Sequence, residues 1–158
     1  MRRIAISGHR GLPPHTAHLI GEAIRAALAG QAADAIGLSC LADGADQIFA
    51  RALLDLGGHI EAVVPAAKYR DGLPSEAWPE YDRLLALADT VHRLGFTEST
   101  SQAHMAASTF MLSQADELWA VWDGKPARGY GGTADVVACA TESGIPVQVI
   151  WPAGARRD

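Results

Sequence analysis

The chain is poor in cysteine, has no long apolar run and carries no excess of basic residues. Its 158 residues include two cysteines, Cys40 and Cys139, too few for a disulfide scaffold or, alone, for a zinc site. No uncharged apolar stretch reaches the ~18 residues that span a bilayer. The run after Arg2 and Arg3 is shorter than the core of a secretory signal. A cytoplasmic chain with no membrane partner is therefore expected. Formal net charge is −5, and the basic residues are scattered apart from the pairs Arg2-Arg3 and Arg156-Arg157. Nucleic-acid binding draws its affinity from neutralised phosphates and leaves a basic footprint, so nucleic acid is not an expected partner. A small anion needs only a few backbone amides and an arginine or two.

Apolar material is plentiful: 49% of residues are hydrophobic and 20% charged, which excludes a disordered chain. A chain of this length buries about 70% of its unfolded surface, and one domain over residues 1–158 is expected. Short apolar runs alternate with segments of helical spacing. Arg3–Ser7 reads as a strand, and Pro14–Ala29 as a helix with Leu19, Ile20, Ala23, Ile24, Ala27 and Leu28 on one face. Asp34–Cys40 reads as a weak strand because of Gly37, and Gly44–Leu56 as a helix. His59–Val64 is a strand ended by Pro65, 66–74 a loop, and Ser75 the N-cap of a helix to Ala88. Thr90–Leu94, Glu117–Trp122 and Val147–Trp151 are further strands; Glu98–Ala115 and Thr133–Ser143 are helices; the final residues read as a frayed tail. Strands separated by helices imply right-handed crossovers and a mostly parallel sheet of about six strands, with helices on both faces of a Rossmann-like three-layer α/β sandwich.

Ligands of such sheets sit beyond the carboxyl ends of the strands, so the residues after each strand are the candidates. Ser7, Gly8, His9 and Arg10 follow the first, where a glycine exposes amides and an arginine forks onto phosphate. Asp43, Gly44 and Asp46 follow the second; the carboxylates suit either helix capping or ribose hydroxyls. Trp122 and Asp123 follow the fifth, with Trp122 placed to stack on a base. Gly131, Gly132 and Thr133 open the next helix, where converging amides and the helix dipole attract an anion. His15 and His18 share a helix face, but nothing nearby completes a metal site, and no metal or cofactor is expected.

Ser-Gly-His-Arg after the first strand, Leu-Ala-Asp-Gly-Ala-Asp after the second, and Trp-Asp-Gly leading to Gly-Gly-Thr before a helix together resemble the SLOG superfamily, in particular its YpsA-like branch. Its relatives include the Lonely Guy phosphoribohydrolases and DNA-processing protein A. The resemblance spans nearly the whole chain. It implies a Rossmann-like fold, a pocket for a nucleotide or nucleotide-derived ligand lined by Ser7-Gly8, Asp43-Gly44 and Gly131-Gly132-Thr133, and a homodimer. The chain departs from the Lonely Guy pattern at both catalytic positions: Ala107 replaces the arginine and Val136 the glutamate. The expected function is therefore ligand binding as a sensor or regulatory module. Hydrolysis of a nucleotide N-glycosidic bond, with Asp46 or Asp123 as the carboxylate, is the enzymatic alternative, and single-stranded DNA binding is a third.

Overall fold

The computed structural model describes residues 1–157. Six strands form one sheet in the order β4-β3-β2-β1-β5-β6: β1 Arg2–Gly8, β2 Ala35–Ser39, β3 His59–Ala66, β4 Thr90–Phe96, β5 Glu117–Val121 and β6 Val147–Val149. Every neighbouring pair is parallel. A parallel neighbour cannot be reached by a hairpin, and each step runs through a helix: α1 Pro14–Leu28, α2 Ala45–Asp55, α3 Trp78–Leu87, α4 Ser101–Gln114 and α5 Thr133–Glu142.

Because successive strand side chains point to opposite faces, one sheet supplies two cores. Ile4, Ile6, Trp119 and Val121 pack with Ile20, Ile24, Phe49 and Leu53 of α1 and α2. Ala5, Leu118 and Ala120 pack with Ala107, Met111, Val136 and Ala140 of α4 and α5. Gly37 is the reason β2 looks weak in sequence and the reason α2 lies close to it. A Cβ there would stand 2.5 Å from Phe49 and 2.7 Å from Leu53. Among the described residues no helix is long and apolar enough to cross a membrane.

Several boundaries differ from expectation. β3 continues through Pro65 to Ala66, and its register with β4 shifts between Val64 and Ala66, an irregularity that tolerates the missing amide. Ser75 caps no α-helix: it opens a 3-10 turn, Ser75–Ala77, and α3 begins at Trp78 with a proline in its first turn, where a missing N–H is no loss. The first basic pair is engaged by the fold, Arg2 forking onto Glu117 at 2.6 and 2.7 Å and Arg3 onto Glu61 at 3.0 and 3.1 Å.

The tail does not fray up to residue 157. Buried Thr16 of α1 donates its hydroxyl to the Arg156 carbonyl at 2.7 Å, and the Arg156 amide donates back to Thr16 Oγ1 at 2.9 Å. Thr16→Val keeps the shape and removes both bonds. It is expected to lower stability by about 1 kcal/mol and to accelerate hydrogen exchange at the Arg156 amide; unchanged exchange there would show that something else holds the tail.

Candidate functional site

β1 has β2 on one side and β5 on the other, and the chain proceeds outward in opposite directions from that boundary. Loops diverge at such a switch point and leave a crevice beyond the carboxyl ends. A cavity of about 310 Å³ lies there. The end of β1 and the loop after it contribute Ser7 to Gly11, the β2–α2 turn and the start of α2 Cys40, Ala42 and Asp46, and α4 His104, Ser108 and Met111. Arg128, Gly131, Gly132 and Thr133 border it from the segment entering α5, and Tyr69 and Arg157 also line it. Of the residues expected from sequence, Ser7, Gly8, His9, Arg10, Asp46, Gly131, Gly132 and Thr133 line the cavity, whereas Asp43, Gly44, Trp122 and Asp123 do not.

The four outside it have other work. Gly44, with φ +92°, turns the chain before α2, and no side chain caps that helix. Asp43 consequently serves the neighbouring loop, accepting from Arg10 Nε and from the Gly11 amide, both at 3.0 Å. It positions Arg10 rather than lining the cavity or capping α2. Trp122 packs on the α4–α5 core layer and donates its indole N–H to the Lys125 carbonyl at 2.8 Å. Its ring is held by those contacts and does not border the cavity. Asp123 accepts the Lys125 amide at 3.0 Å and lies 4.0 Å from Arg157. Burial opposes its ionisation, but the Lys125 amide and Arg157 outweigh that and hold its pKa below the ordinary range.

The glycine loop is partly closed by its own chain. The Gly131 amide donates to Asp135 Oδ2 at 2.9 Å and the Gly132 amide to the Gly129 carbonyl at 3.2 Å. Among the described residues the amides of Thr133 and Ala134, first in α5, donate to no protein acceptor. They are unpaired helix-end donors of the kind that can take an anion.

His9 is 4% exposed. Its Nε2 accepts the Asp123 amide at 3.1 Å, and its ring meets Trp151 edge-on at 5.5 Å. Burial and then Arg157 lower its pKa, and the accepting role of Nε2 places the proton of the neutral ring on Nδ1. That Nδ1 is buried with no hydrogen-bond partner among the described residues. His104, with Nε2 2.8 Å from Ser99 Oγ, is likewise lowered by burial and by Arg10.

Asp46 is the carboxylate of the cavity. Its Oδ2 accepts the Ala42 amide at 3.3 Å, yet burial dominates and lifts its pKa to about 7. Burial and then Asp46 raise the Cys40 thiol. A carboxyl whose pKa is higher in the folded than in the unfolded chain stabilises the fold in its protonated form. That contribution is complete below the ordinary value of 3.8 and lost as pH rises through about 7. Asp46→Asn keeps the Ala42 bond and removes the titration. The variant is expected to exceed the parent in stability by about 2 kcal/mol near pH 8, allowing for solvent screening. Parallel stability–pH curves for the two proteins would show that Asp46 ionises normally.

Sequence reasoning missed Cys40, Tyr69, His104, Ser108, Met111, Arg128 and Arg157. A search restricted to strand ends does not reach α4, and Arg157 depends on the docked tail. The two Lonely Guy catalytic positions, Ala107 and Val136, are fully enclosed in the α4–α5 core.

No protein-family model and no curated protein matches the chain. Solved structures do. DNA processing protein A of Streptococcus pneumoniae is similar over 99% of this chain and 53% of its own, with TM-score 0.71 and 18% identity. DNA processing protein A of Helicobacter pylori, described by its single-stranded DNA binding mode, is similar over 98% and 67%, with TM-score 0.70 and 15% identity. The molybdenum cofactor binding protein of Rippkaea orientalis matches over 94% and 75%, with TM-score 0.60 and 15% identity. The chain spans about half the length of the Streptococcus protein. The six-stranded parallel sheet and its helices on both faces give the chain a Rossmann-like α/β fold, the fold it shares with these proteins.

Proposed function

We propose that the cavity binds a nucleotide or nucleotide-derived small molecule and that the protein works as a sensor or regulatory module. The observation that carries this reading is a local reversal of charge. In a chain of net charge −5, Arg10, Arg128 and Arg157 border one cavity in which, among the described residues, Asp46 is the sole carboxylate. The α5 N-terminus adds the positive end of a helix dipole beside Thr133. A phosphate belongs at that end, with Ser7, Ser108 and Asp46 offering polar groups to a sugar. The volume of about 310 Å³ is at the small end of the range for ligand pockets. The neighbour named for molybdenum cofactor binding supports a small-molecule ligand. Calorimetric titration with nucleoside monophosphates at low ionic strength is expected to give saturable heat. No heat and no thermal shift with any of them would reject the reading.

Asp46 favours a second reading. A carboxyl lifted to about 7 is poised to exchange a proton near neutrality, as N-glycosidic hydrolysis of a nucleoside monophosphate requires. The apolar residues at both Lonely Guy positions place this reading after binding. Release of free base, lost in Asp46→Ala, would reverse the order. The name of the Helicobacter neighbour raises single-stranded DNA; given the acidic balance, a gel shift at low salt is expected to show no complex.

A further inference from the structure

On the far side of Arg128 and Arg157 lies a second cavity, of about 410 Å³. Both arginines border both cavities and so form a shared wall. Lys125, Arg156, Pro126, Trp151 and Asp123 line the second one. Among the described residues neither Lys125 nor Arg156 makes an ion pair. The two spaces are also tied mechanically. His9, which borders the first, is bonded to Asp123 and stacked edge-on against Trp151, which border the second. The docked tail supplies Ala155, Arg156 and Arg157 to the second cavity, and Thr16 bonds that tail at Arg156.

A mononucleotide would satisfy the first cavity and leave Lys125 and Arg156 facing solvent. Two arginines that each border both cavities fit a group with two adjacent negative charges and a substituent leaving on each side. We propose that the cavities are two halves of one site and that the ligand is a dinucleotide whose nucleosides are joined through a diphosphate. This rests on the nucleotide reading above and names its ligand class. The diphosphate lies against Arg128 and Arg157. One nucleoside occupies the first cavity; the other occupies the second, where Trp151 offers an aromatic surface to a base and Lys125 and Arg156 add charge attraction.

The test compares AMP and GMP with diadenosine diphosphate and diguanosine diphosphate by calorimetry, on the full chain and on the double variant Lys125→Ala/Arg156→Ala. Both residues are exposed and border only the second cavity, so folding and monophosphate binding should be unaffected. The parent chain is expected to bind one of the dinucleotides at least tenfold more tightly than the matching monophosphate. The double variant should lose most of that gain while its monophosphate affinity stays within twofold. Equal affinity of the parent for mono- and dinucleotide, or an undiminished gain in the variant, overturns the two-cavity ligand and leaves the nucleotide reading standing. No binding of any of the four overturns both. Affinity that keeps rising with the length of a single-stranded oligonucleotide would instead make the second cavity part of a nucleic-acid groove and overturn the dinucleotide.

Discussion

Alanine at position 44 is expected to destabilise the protein by about 3 kcal/mol and to weaken nucleotide binding with it. Gly44 has φ +92° and ψ −132°, a conformation that strains any L side chain by about 1–3 kcal/mol. A Cβ there would also stand 2.5 Å from the His9 carbonyl oxygen and 3.0 Å from Arg10 Cα, and both are backbone atoms with no rotamer to change. The loop after β1 would have to move off the β2–α2 turn, breaking the bond from the Ala45 amide to the His9 carbonyl, 3.2 Å long, and pulling Arg10 from Asp43. Overpacking of this kind adds about 1–3 kcal/mol. Gly57 is the control. It has nearly the same φ, +91°, but a Cβ there meets nothing within 4 Å, so Gly57→Ala should show strain alone, about 1 kcal/mol. Urea unfolding of the two variants reads the difference directly. Equal losses would mean that the close approach of the two loops carries no energy.

Removing the shared wall, Arg128→Ala/Arg157→Ala, is expected to lower nucleotide affinity at least 100-fold. A hydrogen bond to a charged group contributes about 1.5–3 kcal/mol, and every 1.4 kcal/mol is tenfold in affinity, so two such contacts reach that figure. Arg128 is exposed and the Arg157 side chain is largely buried beside Asp123, so urea unfolding of the variant is measured alongside to separate lost contacts from lost stability. The salt dependence is an independent check: parent affinity should fall as ionic strength rises, and the variant's should fall less. Parent-like affinity in a folded double variant would remove these arginines from the anion site and, with them, the charge reversal on which the proposed function rests.

The two aspartates of the second loop illustrate where sequence reasoning stops. Asp43 and Asp46 are three residues apart, and as sequence both suit a cap or a ribose. The backbone reversal at Gly44 separates them, sending Asp43 to Arg10 and Gly11 and Asp46 to the cavity. A dihedral angle at one glycine, imposed by the close approach of two loops, is not written in the residue types. Trp122 fails as a base platform for a related reason. Its ring packs on the α4–α5 layer and its indole N–H goes to the Lys125 carbonyl, partners that only the fold supplies. The glycine loop was legible as a loop before a helix, but the Asp135 carboxylate that takes the Gly131 amide sits in the first turn of α5 and reverses part of what the glycines alone imply.

Local order determined the elements: apolar periods of 3.6 and 2, punctuated by glycine and proline, mark helices and strands because each must bury one face or both. Alternation of the two types determined a parallel sheet, since a crossover helix cannot return a strand antiparallel to its neighbour. The first loop and the β2–α2 turn were legible because they follow strands directly, and the glycine loop because it directly precedes a helix. Which strands are neighbours, and that α4 and the last residues meet the first loop, was decided by tertiary packing. Periodicity tells a side chain that it will be buried, not against what; partners more than a hundred residues apart, such as Thr16 and Arg156, are chosen only when the layers close.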